Sequence, residues 1–317
     1  MAPIRRLLGR TGLSIHPLVF GTLPMGPLQA GLAPREGGRL IRHALERGLN
    51  LIDTAELYGS YGHIRAGLEG FRGEVLLATK THAPTAALAR AHVERALREL
   101  GVDCLDIVHV HGARLTDPFA ERGEVFEALL VLKAEGKVRC VGVSGHRVAA
   151  IRRAAEHPDV DVIHPLINRE GLGIPDGAAE EMAAAIAAAG AAGKGVYAMK
   201  ALAGGNFIAT ARESLRYVLG LSGVHGVAVG MLSEAEIDAN LGLFEGAADG
   251  SAWGVLEGRS RKIRVMELFC KGCGACAEAC ASDAITVVDG VARVDAASCV
   301  LCGYCAAACP EFMIRVV

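Results

Sequence analysis

The stretch VLLATKTHAPTAALARAHVERALRELGVDCLDIVHVH (75–111) holds the fold in miniature. An apolar run, VLLATK (75–80), precedes AALARAHVERALRELG, whose apolar residues recur at helical spacing and which ends in glycine; a second apolar run, LDIVHVH (105–111), follows. Short apolar runs bounded by turn residues read as buried strands, and the same unit repeats on both sides. LVFG (18–21), NLIDT (50–54), VRCVGVS (138–144), DVIHPLI (161–167), GVYAMK (195–200) and VHGVAVG (224–230) bring the strands to eight. Among them lie the amphipathic segments EGGRLIRHALERG, GEVFEALLVLKAEGK, AAEEMAAAIAAAG and ATARESLRYVLGL. Eight strand–helix units in about 250 residues predict an α/β fold, a closed (β/α)8 TIM barrel. RRLLGRTGLSIHPL, with its Gly-Arg-Thr-Gly turn, reads as an extra hairpin before the first barrel strand. The Gly-, Ala- and Ser-rich region from Glu245 to Arg261 reads as a linker, dividing a barrel domain (1–255) from a small α+β domain (260–317).

Composition bounds the partners. Of 317 residues, 51% are apolar, enough for a large core, and 21% are charged, too few for a disordered chain. With 33 basic and 35 acidic residues, the net charge of −2 offers no footprint for nucleic acid or an anionic membrane. No apolar run approaches the roughly 18 residues of a membrane span, so the expectation is a soluble, cytoplasmic protein.

Cysteine placement marks the second domain. Only Cys104 and Cys140, of ten cysteines, precede residue 270, and both sit in apolar stretches as small buried hydrophobes rather than catalytic thiols. The other eight form two runs, Cys270, Cys273, Cys276, Cys280 and Cys299, Cys302, Cys305, Cys309, each spaced C-x2-C-x2-C-x3-C and offset by 29 residues. Zinc sites usually place C-x2-C pairs about a dozen or more residues apart, so this spacing points to iron and sulfide, with zinc the alternative. Thiolates spaced around Gly272, Gly274 and Gly303 let a loop wrap three corners of a 4Fe-4S cube. AITVVDGVARVD, between the runs, reads as a hairpin turning at Asp289 and Gly290.

This tail resembles the bacterial two-cluster ferredoxins. In that family the fourth cysteine of each run ligates the other cluster, which implies one cluster on Cys270, Cys273, Cys276 and Cys309, and another on Cys299, Cys302, Cys305 and Cys280. Pro310 follows the second run as the family expects, whereas Ala281 stands where the first would carry proline.

A barrel carries its chemistry at the carboxyl ends of its strands. Asp53 ends the second strand, Tyr58 follows on its loop, Lys80 ends the third and His111 the fourth. A phenol with a pKa near 10 donates a proton poorly until an ammonium stabilises its phenolate, and the ammonium needs a carboxylate to hold it. Lys80 and Asp53 suit those roles, and four complementary groups at one mouth point to catalysis.

LGRTGL, DTAELYG, ATK, the stretch Leu105 to His111, GVSGH and VAVGMLSEAEIDANL resemble the aldo-keto reductases over nearly all of residues 1–250. The resemblance implies a tetrad of Asp53, Tyr58, Lys80 and His111, with Tyr58 as general acid in carbonyl reduction and general base in alcohol oxidation. His109 is the rival for the last place, but His111 stands five residues after Asp106, as the family's pattern asks. The family binds NADPH or NADH across the mouth. By this carry-over Gly21, Thr22, Ser144, His164 and Asn168 line the nicotinamide, with Met199 in place of a stacking aromatic ring and Lys200 beside it. Gly230, Leu232, Glu236 and Asn240 lie on the phosphate and adenine side. The loop Gly230–Glu234 lacks the cation that often grips a 2'-phosphate, and Glu234 and Glu236 are expected to repel it.

Together these readings give a cytoplasmic, oxygen-sensitive oxidoreductase for a small carbonyl or alcohol substrate, carrying two 4Fe-4S clusters that serve the barrel or an external electron donor or acceptor protein. The alternative is an electron-transfer or redox-sensing protein whose barrel docks a nucleotide or a partner. The clusters could also merely stiffen the tail. Arg114, in the loop HGARLTDPFAERG, reads either as a contact for an anionic substrate or as a solvated side chain.

Overall fold

The computed structural model describes residues 4–247 and 252–316. The expected hairpin is there, as β1 (Arg6–Leu7) and β2 (Ser14–Ile15) paired antiparallel. Eight parallel strands then close a barrel in chain order: β3 (Leu18–Gly21), β4 (Leu51–Asp53), β5 (Leu76–Thr81), β6 (Leu105–Gly112), β7 (Val138–Gly145), β8 (Val162–Pro165), β9 (Gly195–Ala198) and β10 (Gly226–Gly230). Closure comes from β10 against β3, with Val227 opposite Leu18 and Gly230 opposite Gly21. All of β5 is buried, as a strand covered on both faces must be.

The outer helices are α1 (Pro34–Glu46), α2 (Tyr61–Leu68), α3 (Ala86–Leu100), α4 (Pro118–Ala134), α5 (Val148–Glu156), α6 (Ala179–Ala191), α7 (Ala211–Leu219) and α8 (Glu234–Phe244). Their starts are set locally. The side chains of Thr85, Asp117 and Ser233 accept backbone N–H bonds at the heads of α3, α4 and α8. Leu8, Leu13 and Ile15 of the hairpin pack with Val19, Leu51, Leu76, Ile107 and Tyr197, which seals the amino-terminal end of the barrel and leaves the opposite end as its mouth. Cys140 is buried in β7, where burial pushes its thiol pKa up to about 12, and Cys104 is half-buried just before β6.

The region read as a linker is more ordered than that. Within it lies α9 (Ala252–Glu257), whose Trp253 and Leu256 belong to the same apolar core as the outer barrel helices. Two large apolar side chains three positions apart outweigh the surrounding Gly, Ala and Ser on which the linker reading rests. Residues 248–251 of that region lie outside those described.

The tail comprises β11 (Ile263–Val265), α10 (Ala275–Glu278), β12 (Ile285–Val288), β13 (Val291–Val294), α11 (Tyr304–Ala308) and β14 (Ile314–Val316). β11 pairs with β14, and β12 with β13, both antiparallel. Asp289 and Gly290 have φ of 51° and 74°, the double positive φ that a two-residue hairpin turn asks of an Asp-Gly pair. The 29-residue repeat survives in the backbone. Positive φ recurs at Gly272 and Leu301 (61° and 47°), at Gly274 and Gly303 (81° and 84°), and at Asp283 and Phe312 (50° and 56°).

The second half of this repeat sits on the barrel mouth. Gln29 donates to the carbonyls of Leu301 and Cys302 at 3.3 Å each and Asn206 donates to that of Cys299 at 2.8 Å, while Arg114 ties down the first half as well, at Asp283 (2.8 Å) and the Glu278 carbonyl. A Cβ at Gly204 would collide with the Val300 carbonyl and one at Gly303 with that of Leu28, so two glycines permit the close approach. Among the described residues, no helix is long and apolar enough to cross a membrane.

Candidate functional site

Successive strand ends bring the four sequence-predicted catalytic groups together. Lys80, at the end of β5, donates from Nζ to Asp53 Oδ2 at 2.6 Å and to the Thr54 carbonyl at 2.8 Å. The same Nζ lies 5.1 Å from the centre of the Tyr58 ring. Tyr58, on the short 3-10 turn Glu56–Tyr58 after β4, meets the ring of His111 edge-on at 6.2 Å between centroids. Asp53, Tyr58 and Lys80 are buried at 4%, 6% and 1% exposure, so the charged pair acts in a low-dielectric setting.

Burial dominates the electrostatics. It lowers the Lys80 pKa against the pull of Asp53, and raises that of Tyr58 well above its usual value, with Tyr304 and Asp53 adding to the rise. His111 is pushed well below the ordinary imidazole range, first by burial and then by Lys80, so it is neutral at physiological pH. His109, two residues earlier, points into the barrel interior, where its Nε2 lies 2.7 Å from the Tyr197 hydroxyl. Tyr197 in turn donates to Asp53 Oδ1 at 2.9 Å. Asp53 is therefore held from two sides, by Lys80 and by a tyrosine that the sequence reading passed over.

A cleft runs from this group across the mouth. Of the sequence-predicted nucleotide residues, it is lined by Gly21, His164, Met199, Lys200, Gly230, Leu232, Glu236 and Asn240, and it reaches Asp53 and Tyr58. Three others do not line it. Thr22 bonds the Asp53 carbonyl and Ser60, Ser144 is fully buried with its hydroxyl toward the Val110 carbonyl, and Asn168 spends both ends of its amide on Leu172. Asn240 donates to the Glu236 carbonyl at 2.7 Å, while its buried Oδ1 has no partner among the described residues. A buried acceptor left open on a cleft wall suits a donor from a bound molecule.

The far wall comes from residues outside the expected set: Trp253, Leu256, Arg259, Ser260 and Arg261. Arg259 pairs with Glu236, whose other oxygen accepts from Leu232 N–H at 2.6 Å. Glu236 is thus a paired carboxylate rather than a bare anion. Arg261 donates to Gln29 Oε1 at 2.7 Å. The cations that the loop after β10 lacks arrive from the segment after α9, which local sequence could not place there.

In the tail, Cys270, Cys273, Cys276 and Cys309 line one cavity, the set implied by exchange of the fourth ligand. Cys280, Cys299, Cys302 and Cys305 are mutual electrostatic neighbours. Backbone N–H groups of Ala292, Ala284 and Met313 point at the sulfurs of Cys270, Cys280 and Cys309 at 3.2 to 3.4 Å, donors that suit anionic sulfur. All eight are free of disulfides. Lys200 lines the cleft and also feels Cys302 and Cys299, which raise its pKa against the lowering by burial. Arg114, read as a substrate contact or a solvated group, is spent on tying down the tail.

A sequence model of the aldo/keto reductase family matches residues 17–213, and one of the 4Fe-4S dicluster domain matches residues 269–313. The chain belongs to the aldo/keto reductase family and carries a ferredoxin-type domain after the barrel. It is 30% identical over 152 residues to the L-galactose dehydrogenase of Arabidopsis thaliana, 44% of this chain and 48% of the relative. It is 31% identical over 163 residues to the 6-dehydroglucose reductase of Novosphingobium aromaticivorans, 45% of this chain and 52% of the relative. The chain thus spans about half the length of the curated relatives it matches. A solved aldo-keto reductase from Pseudomonas aeruginosa shares the fold with a TM-score of 0.65 at 30% identity, over 77% of this chain and 94% of that one.

Proposed function

We propose that the chain interconverts an aldehyde or ketone and its alcohol on Asp53, Tyr58, Lys80 and His111, using NADPH or NADH, and that the tail holds two 4Fe-4S clusters for electron transfer. The observation that carries this reading is the convergence of four complementary side chains beside a cleft, with the Lys80–Asp53 pair closed at 2.6 Å. The nicotinamide, when bound, supplies or accepts hydride. Tyr58 gives its hydroxyl proton to the substrate oxygen, and Lys80, fixed by Asp53, stabilises the phenolate left behind. His111, neutral through burial, offers a hydrogen bond to the same oxygen without adding charge.

Asn240 suits the adenine end of the nucleotide through its open Oδ1, and Arg259 and Arg261 suit its phosphates. The names of the two curated relatives put sugars and oxidised sugars first in a substrate panel. Electron exchange between clusters and barrel draws support from Lys200, which borders both the cleft and the second cysteine set.

The test is Tyr58→Phe. Turnover of the panel is expected to fall by about 10²- to 10⁴-fold, while nucleotide binding persists, read from the fluorescence of Trp253, the chain's one tryptophan, on the cleft wall. A variant with full turnover overturns the reading.

A further inference from the structure

Tyr304 belongs to the tail, between Cys302 and Cys305, yet it stands in the barrel mouth. Its hydroxyl is 3.5 Å from His111 Nε2, and its ring meets that of His111 edge-on at 6.3 Å between centroids. The ring also packs beside Tyr58, with Leu23, Leu28 and Ala55 around it.

The position follows from the docking contacts. The loop Cys299–Tyr304 is pinned from the barrel side by Gln29 and Asn206, and the bare backbone of Gly303 lies against the Leu28 carbonyl. The cluster loop itself does not ask for an aromatic ring. At the equivalent place in the first half of the repeat, 29 residues earlier, stands Ala275.

The Tyr58 hydroxyl and His111 Nε2 are the two groups that, on the carbonyl-reductase reading, hold the substrate oxygen. The Tyr304 hydroxyl already addresses the second, and its ring packs beside the first. We propose that Tyr304 is a placeholder for the substrate: the tail seats its phenol oxygen where the carbonyl oxygen binds, and a substrate enters only by displacing it. The inference rests on the function proposed above and adds to it a residue that sets substrate selection. The vacated space is ring-shaped and walled by Leu23, Leu28 and Ala55, so a flat carbonyl compound with an apolar body displaces the phenol at least cost, by replacing both its oxygen and its apolar contacts.

The experiment uses the full, cluster-loaded chain under anaerobic conditions and compares it with Tyr304→Phe and Tyr304→Ala. Binding of benzamide, a non-reacting mimic of benzaldehyde, to the nucleotide-bound protein is measured by calorimetry, beside KM and kcat for benzaldehyde. Removing the competing hydroxyl in Tyr304→Phe is expected to tighten benzamide and lower KM by about fivefold to tenfold, the worth of one net hydrogen bond. Removing the ring as well tightens benzamide further. Unchanged benzamide affinity in both variants overturns the proposal, and so does a fall in kcat at constant KM, which assigns the phenol to the chemical step instead. Iron content and the Trp253 nucleotide titration show that each variant keeps its tail and cleft. Should Tyr304→Ala lose iron, Tyr304→Phe alone decides, since it alters a single oxygen. Benzamide binding needs no turnover, so it answers even where Tyr58→Phe disproves the carbonyl-reductase reading.

Discussion

The two halves of the tail share a motif and differ in surroundings. In the first, Lys271-Gly272-Cys273-Gly274-Ala275-Cys276 lies beside open solvent: Cys273 is exposed, and Leu268 and Phe269 just before it are 95% and 61% exposed. In the second, Val300-Leu301-Cys302-Gly303-Tyr304-Cys305 faces the barrel, with Val300, Leu301 and Cys305 at 2%, 3% and 5%. Cysteine spacing and the positive-φ positions are common to both, so they determine the ligand cage. The residues between the cysteines differ, and they determine what the cage touches. Small and charged groups leave the first cysteine loop bare, with Arg114 reaching its half further on, at Glu278 and Asp283, whereas apolar groups and one tyrosine commit the second loop to the barrel mouth.

Ligand removal gives the largest contrast. Replacing Cys273 or Cys305 by serine is expected to cut iron from about eight to about four per chain, but only Cys305→Ser should also loosen the tail. Limited proteolysis between α9 and β11 reads the loosening, and equal cleavage in the two variants would erase the distinction. Acid separates barrel from tail next. Burial holds His109, His111 and His164 well below the ordinary imidazole pKa and His146 at about 3, and the sequence from residue 260 onward has no histidine. The unfolded chain binds protons at these sites below about pH 6.5 while the folded barrel does not, so barrel stability falls as pH drops through that value and continues falling toward the folded pKa values. Each histidine contributes up to about 1.4 kcal/mol per pH unit in that window. Denaturant melts at pH 7, 6 and 5 should show the midpoint of the barrel dropping, and a flat profile contradicts the assignment.

The smallest effect is the sharpest. Gly274 and Gly303 have nearly the same φ, 81° and 84°, but a Cβ meets nothing at Gly274 and the Leu28 carbonyl at Gly303. Alanine at either site carries the left-handed penalty of roughly 1 to 2 kcal/mol. At Gly303 a clash is added, worth a further ~1–3 kcal/mol. The difference between the two melting temperatures therefore isolates the docking contact, and identical shifts would mean that the contact is not kept in solution.

Much of this was written in local sequence. Barrel strands covered on both faces read as continuous apolar runs, and the strand ends then gave Asp53, Lys80 and His111. Spacing singled out the cysteines that converge on one cavity, and Asp-Gly located the tail hairpin. What stayed hidden depends on long-range contact. Tyr197 occupies an inward position of β9 that alternation could have flagged, but its bond to Asp53 spans 144 residues. Arg259 enters the cleft only because α9 folds back onto the barrel. Thr22, Ser144 and Asn168 occupy the expected positions in the chain, yet nearby backbone claims their polar groups. Tyr304 left one trace, its mismatch with Ala275 in the internal repeat.

The anchoring of α9 has a further consequence. Trp253 and Leu256 fix the chain to the barrel core, and β11 begins at Ile263, so only a handful of residues tether the tail. A domain on so short a leash experiences an effective concentration on the order of millimolar at its own docking face. At that concentration a modest set of hydrogen bonds keeps the face occupied nearly all the time, and still lets go when something competes for it. Tethering thus allows an interface to be persistent and weak at once, a combination that two separate proteins at cellular abundance would not sustain.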